Sequence, residues 1–557
     1  MKSPRLLLLL AAVPGIAAAW GVLELTEPPG PGLDPDALSY LGAGLSLARG
    51  AGLRVPSAGW ASADTSAPLV HFPPGFSVAI ALGIRLDATP TNAARFVEAT
   101  AACISVMAIL LAAGAAGGLT AAVLVGVITA ATPGLMVVHA SVLSEPLFLA
   151  LLACFVCVFA SERYESETRR AIILSALAAT AVLVRYVGVS LVAALALEAL
   201  LASPGSAAGT SAQWRLRARR AMVATVIPIA ALGAWVFSRP RAAGTERIRE
   251  AGLYLRGLPA TLAEGTGSVV RWLAPGVAPD LAMNFVAVAI LAGVIALVVR
   301  ETRTAAQDKS GAAAHRLFHA IAIIAPCYVL TLGASRLLAD PGIPFDDRLL
   351  SPLFLLAALA IGVALARWWQ AVARAGSRGA ALFSLGITAS WIAGATQANM
   401  QLVQEFRADG ADLASSEWRL SPLVDWASSA PPGMRLYSNW PAAIWFHTGR
   451  AAFELPAELD SISVKAFGAK LAMEHAAVLG FREPSPDMAS PDSLAARAGL
   501  TVVARWPEGT IWMSPGDSLE RKDVDRLLVF RIEQFRVREK PYTGAAARLL
   551  VSARRRE

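Results

Sequence analysis

Three groups of ionisable side chains stand out in this chain because each lies at the edge of an apolar run. Carboxylates exchange protons and guanidinium groups bind anions, so such groups could do chemistry if they met at one place. The groups are Asp34 with Asp36, Glu145 in Ser144-Glu145-Pro146-Leu147-Phe148, and Asp346-Asp347-Arg348.

Each group also has a purely structural interpretation. Asp36 is a residue type that caps helices, and it could begin a helix over 37–48. Glu145, just before Pro146, could favour the dipole of a following helix. Arg348 could anchor a helix at a membrane interface or pair with Asp347. The functional interpretation therefore depends on whether the fold brings the groups to one face.

His71 introduces a further candidate, in His71-Phe72-Pro73-Pro74-Gly75. The apolar run that follows, 76–84, is too short to cross a bilayer and suits a helix lying in the interface. The proline pair fixes the start of that helix. His71 could contact a lipid phosphate there, or it could be a surface histidine at the end of a loop.

Composition shows which elements must position these residues. The chain has 557 residues, of which 55% are hydrophobic and 16% are charged, whereas soluble domains average about 25% charged residues. The net charge of +8 does not indicate nucleic-acid binding, because the Arg and Lys residues lie in short clusters between apolar runs. The sequence therefore predicts a polytopic α-helical membrane protein.

The four cysteines all lie within apolar segments. Cys154 and Cys157 form a C-x-x-C, but on a helix in lipid this places two small apolar groups on one face. A redox or zinc site would need thiolates near water or near other ligands. The pattern supports neither such a site nor a disulfide framework.

We predict about eleven spans from the apolar runs, with the first retained as a helix although Lys2, Arg5 and the run after them also fit a secretory signal. The predicted spans are 5–24, 95–114, 119–138, 146–160, 171–184, 188–203, 221–238, 283–299, 316–334, 349–366 and 379–397.

The segment 171–203 decides the topology. As one helix it would be about 50 Å long, far more than a core of about 30 Å, and Arg185 would lie in mid-membrane. As two helices joined at Arg185-Tyr186-Val187-Gly188, it leaves all short basic loops on one side, which is the cytoplasmic side by the positive-inside rule. These loops contain Lys2/Arg5, Arg163/Arg169/Arg170, Arg215/Arg217/Arg219/Arg220, Arg300/Arg303/Lys309/Arg316 and Arg367/Arg374/Arg378.

All three ionisable groups and Arg185 then fall on the exterior side, so they could converge at the rim of one cavity. The exterior also holds the first loop, 25–94, and a loop at 239–282 whose six arginines run against the charge rule, which long loops follow weakly. We therefore predict a membrane domain over 1–397, with a cytoplasmic N-terminus.

The tail, 398–557, loses the long apolar runs and gains charge. Short runs typical of β-strands alternate with helical patches, which predicts an extracytoplasmic α/β domain. The predicted strands are Met434–Tyr437, Thr501–Arg505, Thr510–Met513 and Leu527–Ile532. The basic end, Arg554–Arg556, is interpreted as a solvated terminus.

Six motifs, taken in order, resemble the GT-C glycosyltransferases, and within them the dolichyl-phosphate-mannose protein mannosyltransferase and aminoarabinose transferase group (family 39-like). The resemblance covers roughly residues 20–550. The motifs are Asp36-x-x-x-Tyr40 with Leu47-Ala48-Arg49-Gly50, Phe72-Pro73-Pro74-Gly75, Ser144-Glu145-Pro146-Leu147, Val184-Arg185-Tyr186-Val187-Gly188, Arg348-x-x-x-Pro352, and Tyr437-Ser438-Asn439-Trp440 with Thr448-Gly449-Arg450.

The resemblance implies an inverting transfer of a sugar from a polyprenyl-phosphate donor to a hydroxyl of a lipid, glycan or protein acceptor, outside a bacterial inner membrane. It implies that Asp36 is the general base and that Glu145 orients the acceptor or supports a divalent metal ion. It also implies a substrate-binding set of Asp34, Tyr40, His71, Arg185, Tyr186 and Arg348, in which the two arginines bind the phosphate. Asp34 and His71 are departures: Asp34 could take the role of base, and His71 replaces a lysine found in some members.

Two other functions are compatible with the hydropathy. A transporter or flippase of lipid-linked glycans would have ionisable residues deep in its spans, broken helices and matching halves. The predicted spans are nearly free of ionisable residues and the halves do not match. A sensor would carry its informative residues in the tail, whereas here they lie in the membrane loops.

Overall fold

A computed structural model of the chain describes residues 4–161, 167–201, 210–238, 252–275, 281–305, 311–485 and 488–515. The chain forms two compact units. The first comprises Met1–Pro56 and Ser66–Trp418, and the second comprises Ser57–Thr65 and Arg419–Glu557. The boundary predicted at 397 and 398 falls inside a helix, because the last apolar segment continues as a polar helix as far as Asp409.

The first unit is built almost wholly from helices. They are α1 (Pro4–Leu25), α2 (Pro35–Ala48), α3 (Gly75–Arg85), α4 (Pro90–Ala131), α5 (Pro133–Ala140), α6 (Glu145–Phe159), α7 (Glu167–Val184), α8 (Val189–Leu201), α9 (Thr210–Ser238), α10 (Leu258–Leu273), α11 (Leu281–Ala305), α12 (Ala312–Leu338), α13 (Asp347–Arg374) and α14 (Arg378–Asp409). Strands β1 (Arg54–Val55) and β3 (Ala67–Pro68) pair antiparallel, and the short helix α15 (Ser416–Arg419) lies at the end of the unit.

Seven helices in the described part of the chain are long and apolar enough to cross a membrane. They are α1, α4, α9, α11, α12, α13 and α14. The span predicted at 119–138 is divided between the second half of α4 and α5. The described residues of the spans predicted at 146–160, 171–184 and 188–203 form α6, α7 and α8, which are shorter or more polar than the seven. The total of eleven spans stays a prediction.

Helix α4 contains one of the predicted spans and the first part of the next. Gly118, at φ 75° and ψ −168°, interrupts the helical backbone, and this region of conformational space is open almost only to glycine. A Cβ at Gly126 would lie 3.1 Å from the side chain of Leu110, so the two halves fold back on each other. The hairpin predicted from the apolar runs is therefore present.

The segment 171–203 forms two helices, as the length argument predicted. Helix α7 ends at Val184, Arg185 has extended backbone angles, a 3₁₀ turn covers Tyr186–Gly188, and α8 follows. A Cβ at Gly188 would lie 2.5 Å from backbone atoms of Ala181 and Val182, so only glycine allows this close turn.

Two helices outside the long spans help to form the site. The helix predicted over 76–84 is present as α3, which begins directly after the proline pair, and its place in the membrane interface stays a prediction. Helix α10 lies within the predicted exterior loop 239–282 and was not predicted from the sequence. The flanking residues 239–251 and 276–280 lie outside the described part of the chain.

The second unit contains a six-stranded sheet with the order β2-β5-β4-β6-β8-β7. The first four strands run parallel, whereas β8 pairs antiparallel with both β6 and β7. The strands are β2 (Ser57–Ala58), β4 (Leu436–Ser438), β5 (Ala452–Glu454), β6 (Ala477–Phe481), β7 (Thr501–Trp506) and β8 (Gly509–Met513). Its helices are α16 (Pro422–Ser429), α17 (Pro441–Thr448), α18 (Ser461–Glu474) and α19 (Pro491–Arg497).

Three of the four predicted strands correspond to β4, β7 and β8. The fourth, 527–532, lies outside the described residues, as does the basic end at 554–556. The sequence did not predict β5 and β6, whose residues include Ala, Gly and Glu, nor β2, which comes from the first exterior loop.

Candidate active site

The start of α2 sets the positions of its two aspartates. Asp34 is the N-cap, and its Oδ1 accepts a hydrogen bond of 2.8 Å from the backbone N–H of Asp36. Pro35, which has no N–H to lose, occupies the first helical position. The expectation that Asp36 caps this helix is therefore wrong. The capping role belongs to Asp34, and the carboxylate of Asp36 projects from the first turn.

Tyr40 lies one turn after Asp36 and is buried. Its ring contacts those of Phe72 and Phe76, with centroid distances of 4.8 and 5.1 Å. Its hydroxyl lies 3.1 Å from Oγ of Ser144. Tyr40 thus joins α2 and α3 to the turn that precedes α6.

Glu145 is the first residue of α6 and is 2% exposed. A carboxylate at this position interacts favourably with the helix dipole, as the structural interpretation of the sequence had it. Arg185, in the turn between α7 and α8, forms an ion pair with Oε2 of Glu145. The same guanidinium donates a hydrogen bond of 3.0 Å to Oγ of Ser144.

Arg348 joins the two acidic groups. Its Nη1 lies 2.7 Å from Oδ2 of Asp34 and 3.1 Å from Oδ2 of Asp36. Its Nε lies 3.2 Å from Oε1 of Glu145. Arg348 therefore contacts Asp34 and Asp36, which lie more than 300 positions earlier in the sequence, through the same guanidinium that approaches Glu145.

The other two residues of the third acidic group have different roles. Asp346 is the N-cap of α13, with its side chain accepting from the N–H of Leu349. Asp347 pairs with Arg271 of α10 at 3.0 Å, so the suggested pairing of Asp347 with Arg348 is not the one formed. Of the three, Arg348 makes the closest link to the other acidic groups.

We call the connected set of seven residues the Arg348 cluster. It consists of Asp34, Asp36, Tyr40, Ser144, Glu145, Arg185 and Arg348.

Burial dominates the electrostatics of the cluster. It raises the pKa of Asp34 to about 6, with a further increase from the charge of Asp36, although Arg348 acts in the opposite direction. Burial also raises the pKa of Asp36, against the effect of Arg348. Burial raises the pKa of Tyr40 as well, so this residue is a neutral hydroxyl at physiological pH.

Two buried atoms of the cluster keep hydrogen-bonding capacity. Oε1 of Glu145 and Nε of Arg348 are close enough for an ion pair, yet neither makes a hydrogen bond of acceptable geometry within the described residues. Buried polar atoms are normally satisfied, and exceptions call for an explanation. A bound ligand that supplies both a donor and an acceptor would explain them.

Two predicted site residues lie apart from the cluster. His71 is exposed and packs edge-on against Phe72, with a centroid distance of 4.7 Å, so a second ring separates it from Tyr40. Tyr186 accepts a hydrogen bond of 3.1 Å from Nε1 of Trp235 on α9. The other six predicted residues all belong to the Arg348 cluster.

Two residues near the site were not predicted as functional. Ser144 had been quoted only as part of a motif, but its hydroxyl contacts both Tyr40 and Arg185. Asp412, after α14, pairs in a β-bridge with Leu33, and burial and the nearby Asp34 raise its pKa. Neither role could be predicted from the local sequence, because the contacts join segments 41 or more residues apart.

Backbone hydrogen bonds connect three segments next to the cluster. Gly32 exchanges backbone hydrogen bonds with the segment around Ser141, through Ala140 O at 3.0 Å and Val142 N at 2.9 Å. Leu413 N donates to Leu33 O at 3.0 Å on the other side. The loop that carries Asp34 is therefore held between the α5–α6 turn and the segment after α14.

The carboxylates of the cluster do not fit a divalent ion as they stand. Among the described residues, no group of three His, Cys, Asp or Glu side chains is arranged to hold one. The guanidinium of Arg348 lies between Asp34, Asp36 and Glu145 and occupies the place where a cation would bind them. A metal ion here would have to displace it.

Comparison with known proteins identifies the fold. ArnT from Cupriavidus metallidurans in the apo state aligns with a TM-score of 0.55 and 15% identity, covering 90% of this chain and 97% of that chain. An Archaeoglobus fulgidus oligosaccharyltransferase in complex with Zn and sulfate aligns with a TM-score of 0.52 and 12% identity, covering 85% and 68%. AglB from Archaeoglobus fulgidus, in complex with an inhibitory peptide and a dolichol-phosphate, aligns with a TM-score of 0.51 and 11% identity, covering 85% of this chain and 69% of that chain.

No family model and no curated protein matches the sequence. The similarity is therefore one of structure, extending over most of this chain and of its structural neighbours. The chain has the fold of the GT-C membrane glycosyltransferases, as the order of its sequence motifs predicted.

Proposed function

We propose that this chain transfers a sugar, with inversion, from a polyprenyl-phosphate donor to an acceptor hydroxyl on the extracytoplasmic side of a bacterial inner membrane. The observation that carries the proposal is the convergence of Asp36, Glu145, Arg185 and Arg348 from four separate elements. The shared fold adds support, since AglB was solved with a dolichol-phosphate and ArnT is an aminoarabinose transferase.

Asp36 is the better candidate for the general base. Both oxygens of Asp34 are occupied, one by the backbone N–H of Asp36 and the other by Arg348. Asp36 uses Oδ2 for Arg348, and its side chain is 33% exposed. Its Oδ1 is then available to take the proton of an acceptor hydroxyl. Asp34 would act by holding α2 and Arg348 in place.

The transfer replaces the bond between the anomeric carbon and the phosphate oxygen by one to the acceptor oxygen, and it moves one proton. The acceptor oxygen attacks the anomeric carbon and gives its proton to Asp36, while the bond from that carbon to the phosphate oxygen breaks. The phosphate leaves with the electron pair, so no strong general acid is required. Attack opposite to the leaving group inverts the anomeric configuration.

The arginines would bind the leaving phosphate. Guanidinium groups form paired, charge-assisted hydrogen bonds with phosphate oxygens. Binding of the phosphate to Arg348 would compete with the bond from Arg348 to Asp36. Because that bond lowers the pKa of Asp36, weakening it would make the carboxylate a stronger base. Donor binding would thus prepare the base for the acceptor.

Asp36→Asn tests the assignment, with Asp34→Asn as the matched control. The probe is a panel of undecaprenyl-phosphate-linked hexoses and pentoses in detergent, with release of undecaprenyl phosphate as the readout. Loss of a general base lowers kcat by about 10²- to 10⁴-fold. Asp34→Asn should cost no more than about tenfold, because asparagine also caps helices and one partly exposed ion pair is worth about 1 kcal/mol or less.

Full activity of Asp36→Asn would refute the role of Asp36 as base. A transporter or flippase of lipid-linked glycans is the other candidate function. It would be supported if the wild-type protein moved the lipid across vesicles but released no undecaprenyl phosphate from any member of the panel.

A further inference from the structure

Glu98 is an ionisable residue that the proposed reaction does not use. It lies on α4, a helix long and apolar enough to span a membrane, and it is 0% exposed. Burying a carboxyl group in such a place is costly, and intramembrane ionisable residues are therefore usually functional.

The carboxyl group of Glu98 makes one close contact with the backbone. Its Oε1 accepts a hydrogen bond of 3.1 Å from the N–H of Leu143. Leu143 lies between the end of α5 and the start of α6, where no helix satisfies its N–H. Glu98 therefore satisfies a buried backbone donor in an irregular segment, which would otherwise cost about 1–3 kcal/mol.

The contact between Glu98 and Leu143 lies next to the segments that carry Asp34 and Glu145. One residue before Leu143, Val142 donates a hydrogen bond of 2.9 Å to Gly32 O in the loop that leads to Asp34. Directly after Leu143 come Ser144 and Glu145, whose side chains contact Arg185. A shift of Leu143 would therefore move Glu145 and the loop that carries Asp34.

We propose that Glu98 is a positioning residue for the Arg348 cluster. Its carboxyl oxygen holds the N–H of Leu143 and so fixes the distance between the loop of Asp34 and the start of α6. Its effect on catalysis rests on the proposed sugar transfer, whereas its hold on Leu143 does not. Displacements of about 1 Å in a catalytic site can cost 10²-fold in rate, so this brace would matter for kcat.

Three substitutions of Glu98 distinguish the effect of its hydrogen-bond acceptor from that of its charge and size. Glu98→Gln keeps an oxygen at the same reach, Glu98→Met keeps the size but removes the oxygen, and Glu98→Asp keeps the carboxyl but withdraws it by one methylene. Ser105→Ala, a small change at a buried residue two turns further along α4, is the matched control. Each variant is measured by hydrogen exchange of the Leu143 amide and by kcat and KM with the undecaprenyl-phosphate-sugar panel.

We expect Glu98→Met and Glu98→Asp to lose protection at Leu143 and to lower kcat by about 10- to 100-fold, with KM for the donor changed less than about threefold. Glu98→Gln should restore both readouts, and Ser105→Ala should change neither. If Glu98→Met does not fold, the comparison of Glu98→Asp with Glu98→Gln decides.

Wild-type kcat in both Glu98→Met and Glu98→Asp would overturn the inference, as would Glu98→Gln losing as much as Glu98→Asp. Unchanged protection of Leu143 in Glu98→Asp would also overturn it. If the wild-type protein transfers no sugar, the proposed function fails, and hydrogen exchange still decides whether Glu98 holds Leu143.

Discussion

Arg348 is the residue on which the candidate site depends most. Its single positive charge contacts Asp34, Asp36 and Glu145, which are partly or fully buried, and it reduces the repulsion between them. Under the proposed function, the phosphate of the donor would compete with these carboxylates for Arg348. The contacts that hold the site together would then respond to donor binding.

Replacing Arg348 by glutamine should abolish most activity. Removing the guanidinium takes away the group that would bind the leaving phosphate and leaves three carboxylates without their common partner, so kcat/KM should fall by at least about 10²-fold. Arg348→Lys should recover only part of the loss, since an ammonium group lacks the fork that contacts several oxygens. Arg407→Lys, at an exposed pair with Glu24, is the control and should retain activity. Wild-type kcat/KM in Arg348→Gln would contradict the assigned role.

The decrease of kcat/KM at low pH gives a second test, which concerns the role of Asp36 as base. Burial raises the pKa of Asp36, and it raises that of Asp34 to about 6. A base works only when deprotonated, so kcat/KM should fall with decreasing pH at a pH above the usual carboxylate region, because the pKa of Asp36 is raised. In Asp34→Asn a neighbouring negative charge is removed, so this decrease should move to lower pH. A decrease that stays at the same pH in this variant would argue against Asp36 as the titrating group.

At the scale of elements, turns rather than helices decide where the site residues lie. Asp34, Glu145, Arg185 and Arg348 all occupy the first position of a helix, the residue next to it, or a turn between helices. Helix starts offer unpaired N–H groups and a positive dipole end, which stabilise carboxylates. The apolar helices thus serve as supports whose ends carry the chemistry.

A substitution at Gly118 tests whether the turn within α4 requires a glycine. Its φ of 75° and ψ of −168° are open almost only to glycine, and a Cβ there would meet no atom within 4 Å. Gly118→Ala should therefore destabilise by about 1–3 kcal/mol through backbone strain alone. Gly293→Ala, which also adds a methyl group into open space but inside a helix, should be neutral or slightly stabilising. Thermal unfolding in detergent compares the two, and an equal Tm would rule out strain at Gly118.

At the scale of the whole molecule, the proposal requires that the exterior segments share one side of the membrane. The structure joins the loop of Asp34, the turn before Glu145 and the segment around Asp412 through backbone hydrogen bonds. These segments therefore lie on one side, and the charge bias of the sequence predicts that this side is the exterior.

Labelling with a membrane-impermeant maleimide tests this orientation. In a protein lacking its four cysteines, Glu458→Cys in the second unit should react in intact spheroplasts. Ser377→Cys, between α13 and α14, should react only after permeabilisation, because it lies beside Arg374 and Arg378 in a basic loop. Both positions are exposed, so burial does not explain a difference. The reverse pattern would place the site on the cytoplasmic side.

The sequence alone determined the apolar segments, the break at Arg185 and most of the candidate site. Hydropathy and charge bias depend on the local sequence, because the bilayer imposes the same length and the same cost of charge on every span. The motifs then selected Asp36, Glu145, Arg185 and Arg348, and all four meet in the structure.

Tertiary structure alone decided the division of work within the site. Which aspartate caps α2, which acidic residue pairs with Arg348, and the involvement of Ser144, Asp412 and Glu98 all depend on contacts between distant segments. A side chain has the same composition whether it caps a helix, braces a turn or faces a substrate. Its role is set by the partners that folding brings within hydrogen-bond distance, and no spacing along the chain specifies those partners.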